Sequence, residues 1–461
     1  MEFWDLPTLR PIVALALALA LLIALVRARR AGAREAHKRG ARIGDGRAAQ
    51  RRAARQRLLE PQPPLMLAGV GLAAADEVRH FKLIGTTGTG KSTAIRALLA
   101  AALERGDRAV ITDPDGGYLA RFHDAGRGDV VLNPFDPRSP RWEPSAEVRE
   151  PYDVEQLAGS LVPSTEDASG REWRGYARTF LTALVRRCRE SGRGDAAELW
   201  RLIAVAPSAE LRPLVVGTPA QPFLEPENAR MFGSIRSVAV SAASALEHVQ
   251  AQRARAFSVR DWIDNGQGVL FLPYHASQIA ALRTVIATWV RLAIFELMSQ
   301  EGSDRRLWLI VDELDALGAI DGLKDALARL RKFGGRCVLA FQSIAQVSST
   351  YGAAEAQTII ENCGSTLILR CSASEHGGTS QFASRLIGER EVVRRMTSRG
   401  RDGGGFPGGR GWRRSMNVSE QRVTEAAVLA SELEQLPDLT GYLKTASSAV
   451  WLRVRLPRPC Q

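Results

Sequence analysis

The chain has 461 residues, 45% of them hydrophobic, which is enough for two or three domains with real cores and excludes a small stapled scaffold. Five scattered cysteines and six histidines show no ligand spacing, which excludes a disulfide framework or a Cys/His metal centre and places the bulk of the chain in the cytosol. The net charge of +12 is local: Arg27 to Arg57 holds twelve Lys/Arg and two acidic residues, a balance of +10, so the body after it is near neutral.

The first predicted element is apolar. Pro11 to Val26 is a run of sixteen uncharged, nearly all aliphatic residues. As a helix it spans ~24 Å against a hydrocarbon core of ~30 Å, and Leu9 with a snorkelling Arg10 brings it close to crossing. Glu2 and Asp5 before it, and Arg27, Arg29 and Arg30 after it, do not fit a cleaved signal peptide. The charge asymmetry puts the N-terminus outside and the rest in the cytoplasm. A soluble protein with a buried N-terminal helix is the plainer alternative. Residues 1–27 are therefore expected as a single-pass membrane anchor and 28–64 as a basic juxtamembrane linker, suited to anionic lipid and, less directly, to nucleic acid.

A nucleotide-binding domain begins near residue 65. Phe81 to Ile84 reads as a short strand and Thr93 to Ala100 as a helix. Between them Gly85-Thr86-Thr87-Gly88-Thr89-Gly90-Lys91-Ser92 is G-x-x-x-x-G-K-S, the loop that cradles phosphates. Its glycines keep side chains clear, and its N–H groups and the helix end point at phosphate oxygens. The sequence thus predicts an ATP site at Gly85 to Thr93, with Lys91 on the β/γ-phosphates and Ser92 as a Mg2+ ligand. Ala109 to Gly116 and Asp129 to Asp136 repeat the strand-to-turn format, which predicts a parallel sheet with crossovers.

From Tyr152 to Arg255 no strand is evident, and apolar residues recur at helical spacing, so 156–256 is expected as an inserted all-α domain. Trp173 and Tyr176 lie there beside Arg174, a set that can stack on bases and meet phosphates; the plainer alternative makes them the core of a small bundle. Residues 257–461 complete the sheet domain that 65–155 begins. The strand Leu307 to Val311 delivers Asp312, a Mg2+ ligand through water, and Glu313, the group that polarises an attacking water. Gln342 ends the strand Arg336 to Phe341, where it is either a γ-phosphate sensor or a strand-end cap. Thr397 to Arg414 is rich in Gly and Arg and reads as a mobile surface loop.

These motifs, in this order, resemble the type IV secretion coupling proteins, the TraD-like DNA pumps of bacterial conjugation. The resemblance runs over roughly residues 65 to 455. It rests on Arg79 to Ser92, the Asp113 to Gly116 turn, Asn133 to Asp136, Asp312-Glu313, Gly334 to Gln346, Tyr351-Gly352, Leu386 to Glu389 and Leu436 to Leu439. It implies an α/β, RecA-like nucleotide-binding domain carrying the all-α insertion, an N-terminal transmembrane helix, and a ring of six identical subunits. It implies a DNA-dependent ATPase in the bacterial inner membrane that couples the relaxase and relaxosome to the secretion channel and pumps single-stranded DNA. ATP in such a ring lies between subunits, and Arg331 and Arg79 match positions where the family carries arginines that complete a neighbour's site. Family members usually carry two membrane helices and a long acidic tail; one apolar run and no such tail are found here. Two other functions stay open: a docking protein that recruits secretion substrates without pumping DNA, and a DNA pump of the cell-division or repair type.

Overall fold

The computed structural model describes residues 35–60, 64–163, 168–192, 195–299, 306–374, 378–402 and 413–457. The apolar run Pro11 to Val26 lies outside them. No described helix is long and apolar enough to cross a membrane.

The chain divides into two compact units. The larger comprises residues 43–383 and 430–461. At its centre is a ten-stranded sheet in the order Arg42–Asp45, Val450–Arg455, Thr440–Lys444, Ser365–Ile368, Phe81–Ile84, Gly335–Phe341, Leu307–Val311, Arg108–Pro114, Val269–Tyr274, Val130–Val131. The seven strands from Ser365–Ile368 onwards run parallel, as the predicted crossovers require. Such strands are covered on both faces and read as continuous apolar runs: Leu-Trp-Leu-Ile-Val at 307–311 is buried throughout. Helix Lys91–Glu104 buries Ala94, Ile95, Leu98, Leu99 and Ala102 against this sheet, a stripe set by the 3.6-residue period.

Between the short parallel pair Arg141–Trp142 and Ala256–Phe257, the described elements are all helical, from Asp153–Leu161 to Ala245–Gln250. Glu147 is buried at the base of this stretch. It accepts the N–H groups of Val259 (2.7 Å) and Arg260 (3.1 Å) and the indole N–H of Trp142 (2.8 Å), so it caps the helix Val259–Asn265.

The basic segment expected as a linker is partly folded. Arg42–Asp45 forms an edge strand of the sheet, and Arg47–Leu59 is a thirteen-residue helix seated through Ala53. The smaller unit, residues 1–42 and 384–429, has a three-stranded antiparallel sheet in the order Glu35–Gly40, Glu389–Asp402, Arg413–Ala426. Its long hairpin replaces the loop expected over 397–414 at 397–402 and 413–414. Backbone pairing there runs on to Asp402 opposite Arg413. Ion pairs from Arg390 and Arg394 to Glu425 and from Arg395 to Glu420 cross the two strands nearer their base.

His80 fastens the sheet just before the glycine loop. Its backbone is left-handed (φ 57°), a conformation His tolerates better than most side chains. Nδ1 accepts the Cys337 N–H at 3.2 Å and Nε2 donates to the Leu327 carbonyl at 3.0 Å, a pairing open only to the neutral ring. Burial pushes its pKa down to about 4. The folded value lies below the unfolded one, so stability is complete at neutral pH and falls as pH drops from about 6.5 towards 4, by roughly 3 kcal/mol in all. His80→Asn keeps left-handed tolerance and does not titrate. Denaturant melts should show wild type losing its margin over this variant between pH 7 and pH 5; a constant margin would show that protonation of His80 is not the cause.

Candidate nucleotide site

Strand register assembles the site. Ile84 pairs with Phe341, Leu339 with Val311, and Val311 with Thr112. The residues that follow, Gly85, Gln342, Asp312 and Asp113, therefore emerge along one sheet edge, at the carboxyl ends of parallel strands, where α/β sheets bind ligands.

The glycine loop holds its shape through distant partners. Thr86 N–H donates to the Arg370 carbonyl at 2.9 Å, and Leu439 N–H donates to the Thr89 carbonyl at 3.0 Å. Gly88 and Gly90 have φ of 76° and 117°, which side chains resist, and a Cβ on Gly90 would stand 2.8 Å from Leu439 Cδ2. Lys91 is buried. Its ammonium donates to the carbonyls of Gly85 (2.6 Å) and Thr86 (3.2 Å). Burial pushes its pKa down, against the pull of Asp312 and Glu313. Two of its three N–H groups are used, and a bound anion would restore the charge that burial opposes. Ser92 Oγ donates to Asp312 Oδ2 at 2.8 Å, and Thr93 follows half-buried in the first helical turn.

Thr87, Gln342 and Glu313 form a relay. Thr87 Oγ1 donates to Gln342 Oε1 at 2.8 Å, and Gln342 Nε2 donates to Glu313 Oε1 at 3.0 Å. Gln342 thus joins the loop to the carboxylate instead of capping its own strand. Glu313 is left-handed (φ 64°, ψ 64°), a costly conformation of the kind that collects at functional sites. Burial, then the charges of Asp312 and Asp315, push its pKa up.

Tyr118, Arg96 and Tyr274 carry no sequence signature. Tyr118 donates its hydroxyl to Asp312 Oδ2 at 2.8 Å, and the Arg96 guanidinium sits 5.4 Å from its ring centroid. Asp113 accepts the N–H groups of Tyr118 (3.0 Å) and Leu119 (2.7 Å), fixing the turn that presents the tyrosine. Tyr274 is buried near these carboxylates, and its hydroxyl has no hydrogen-bond partner among the described residues.

The other expected residues lie elsewhere. Arg79 precedes Phe81–Ile84, and the exposed Arg331 opens the turn before Gly335–Phe341, so both sit at the sheet edge opposite the glycine loop. A seven-residue strand spans ~23 Å, so Arg331 does not reach its own loop. Trp173 and Tyr176 are half-buried and meet edge to face at 5.9 Å, with Phe223 5.5 Å from Tyr176. Arg174 donates to the Pro163 carbonyl at 2.9 Å. The trio forms a partly exposed aromatic cluster remote in sequence from the glycine loop.

The residues present fit a nucleotide with Mg2+. Among the described residues no three His, Cys, Asp or Glu side chains gather as a metal site. Ser92 and Asp312 would thus supply two contacts, and phosphate and water the rest, as Mg2+ favours.

Residues 64–457 match the family described as the type IV secretion-system coupling protein DNA-binding domain. Coupling protein TraD of Escherichia coli (strain K12) is 30% identical over 377 residues, 80% of this chain and 51% of that one, so the chain spans about half the length of this curated relative. Among solved structures, the bacterial conjugative coupling protein TrwBdeltaN70, unbound, superposes with a TM-score of 0.79 at 32% identity, covering 92% of this chain and 94% of the other. Plasmid coupling protein TrwB in complex with ADP and Mg2+ gives a TM-score of 0.78 at 32% identity, covering 91% and 94%.

Proposed function

The chain belongs to the type IV secretion-system coupling protein family, and from that we propose that it is a DNA-dependent ATPase that drives single-stranded DNA into a secretion channel during conjugation. The observation that carries this is the relay from Thr87 through Gln342 to Glu313, set beside the Ser92–Asp312 pair. One edge of a RecA-like sheet then holds both halves of a phosphoryl-transfer site. TrwB, similar over nearly the whole chain, was solved with ADP and Mg2+, which supports the same ligands here.

Each residue then has a task. Lys91 and the loop N–H groups bind phosphate oxygens. Ser92 and Asp312 hold Mg2+, which neutralises phosphate charge when bound. Glu313 takes a proton from the attacking water, helped by the raised basicity that burial gives it. Gln342 orients Glu313 and, through Thr87, ties its position to the state of the phosphate loop.

The proposal extends to a homo-hexamer anchored in the inner membrane by Pro11 to Val26, with relaxosome and channel proteins as partners. In that ring Arg331, or Arg79, completes the site of a neighbour. The location of Arg331 at the far sheet edge supports this, since it cannot serve its own loop. The helical insertion, with Trp173, Tyr176 and Arg174, is assigned to DNA handling at the ring's mouth.

ATP turnover by the full chain, with and without single-stranded DNA, is the deciding measurement. Stimulation by DNA is expected. Turnover indifferent to DNA would favour the docking protein that only recruits substrates. Arg331→Ala is expected to bind ATP without turning it over, and mixing it with Lys91→Ala subunits should restore part of the activity. No recovery at any ratio would remove Arg331 from its neighbour's site.

Tyr118→Phe removes one hydroxyl from Asp312 and leaves the ring under Arg96. The Mg2+ concentration for half-maximal turnover should rise about 10-fold, as partners of metal-holding groups typically show, with little change in apparent ATP affinity at saturating metal. An unchanged metal requirement would leave Tyr118 only a packing role.

A further inference from the structure

The helix Arg47–Leu59 has one face spoken for and one exposed. Ala53 is buried, Ala49 packs on the core, and Gln50 Nε2 donates to the carbonyls of Ala68 and Arg455, each at 2.8 Å. At ~100° per residue, Arg47, Leu58, Arg51, Arg55, Ala48, Leu59 and Arg52 follow one another across an arc of about 140° on the opposite side. All seven are exposed, and the two leucines extremely so, at 85% and 81%. The helix contains no acidic residue. Arg57, off this face, pairs with Glu104 at 3.3 Å.

We infer that this face rests on an anionic lipid surface, with Leu58 and Leu59 entering the interfacial layer and Arg47, Arg51, Arg52 and Arg55 on lipid phosphates. Charge complementarity selects an anionic partner. The leucines select lipid over nucleic acid, because adjacent aliphatic side chains among arginines gain from a headgroup–acyl boundary and gain nothing from a phosphate backbone. Position agrees, since only twenty residues separate the helix from the apolar run Pro11 to Val26. Bilayer contact would seat the larger unit through a folded element. This rests on the membrane-anchored part of the proposed function and is independent of the ATPase.

The test uses the full chain with Leu58→Cys carrying an environment-sensitive fluorophore. The four described cysteines are buried, and Cys460→Ser removes the fifth. The protein is reconstituted with vesicles of phosphatidylcholine alone or enriched in phosphatidylglycerol. Blue-shifted emission and a several-fold loss of iodide quenching are expected only with phosphatidylglycerol. Both should reverse in high salt and disappear in an Arg51→Gln, Arg52→Gln, Arg55→Gln variant with unchanged melting. Equal emission in both lipids overturns the inference. So does a shift produced by a DNA duplex in detergent and absent with vesicles, which would assign the face to nucleic acid. Flotation with phosphatidylcholine after a salt wash reports the anchor separately. If it fails, phosphatidylglycerol vesicles still test the helix, because this face would recruit them unaided.

Discussion

Lys91→Ala is expected to abolish ATP turnover and DNA transfer while the protein stays folded. The ammonium is the only cation hydrogen-bonded within the glycine loop among the described residues, and it lies beside Asp312 and Glu313. Removing it takes a positive charge from the point where phosphate charge must be met, and from a setting too dry for water to replace it. The structural cost is limited for two reasons. Burial already disfavours the charged lysine, and the Thr86 carbonyl keeps the Thr89 hydroxyl at 2.7 Å. The Gly85 carbonyl loses its partner, so stability should fall by about 1 to 3 kcal/mol while the fold is kept. Turnover of the purified variant, compared with its melting curve, separates the two effects. Near-normal turnover would refute the nucleotide site itself. An unfolded variant would instead show that Lys91 holds the loop together through Gly85.

What the sequence made legible were features encoded locally. The glycine loop sits between a four-residue strand and an apolar-striped helix, and both are found where the pattern puts them. The carboxylates Asp312 and Glu313 follow a strand whose five apolar residues permit little else. Gln342 was also visible as a strand end, but its partners were not: reaching Thr87 and Glu313 depends on which strands are neighbours, and no local signal gives strand order. Tyr118 and Arg370 stayed hidden for the same reason, since packing across the sheet brings the Tyr118 hydroxyl to Asp312 and the Arg370 carbonyl to the loop. The Leu436 to Leu439 motif was conspicuous, yet nothing in it announced that the Leu439 N–H would hold the Thr89 carbonyl. The paired strands Glu389–Asp402 and Arg413–Ala426 escaped for a different cause. Cross-strand backbone bonds and ion pairs hold them, so they lack the apolar alternation by which strands are recognised.

Glu313→Gln is expected to bind ATP and Mg2+ as wild type does and to hydrolyse ATP 100- to 10,000-fold more slowly, the usual weight of a positioned general base. The substitution keeps shape, and the amide oxygen that replaces the carboxylate Oε1 still accepts the Gln342 N–H, so the left-handed turn and the relay to Thr87 survive. Only the ability to take a proton is lost. The environment of Glu313 adds a second signature. Burial and the neighbouring carboxylates of Asp312 and Asp315 raise its pKa above the ordinary glutamate range. A raised value means that the base is inactivated by protonation earlier on acidification, so the acid limb of wild-type turnover should lie at higher pH than a free glutamate would give. In Glu313→Gln that limb should vanish from the residual rate, while nucleotide binding follows the same pH course as wild type. Hydrolysis at wild-type speed would move the base elsewhere and leave Glu313 as a strained strand end. Slow hydrolysis that keeps the acid limb would assign the titration to another carboxyl of this edge, with Asp113, itself raised by burial, the first to test.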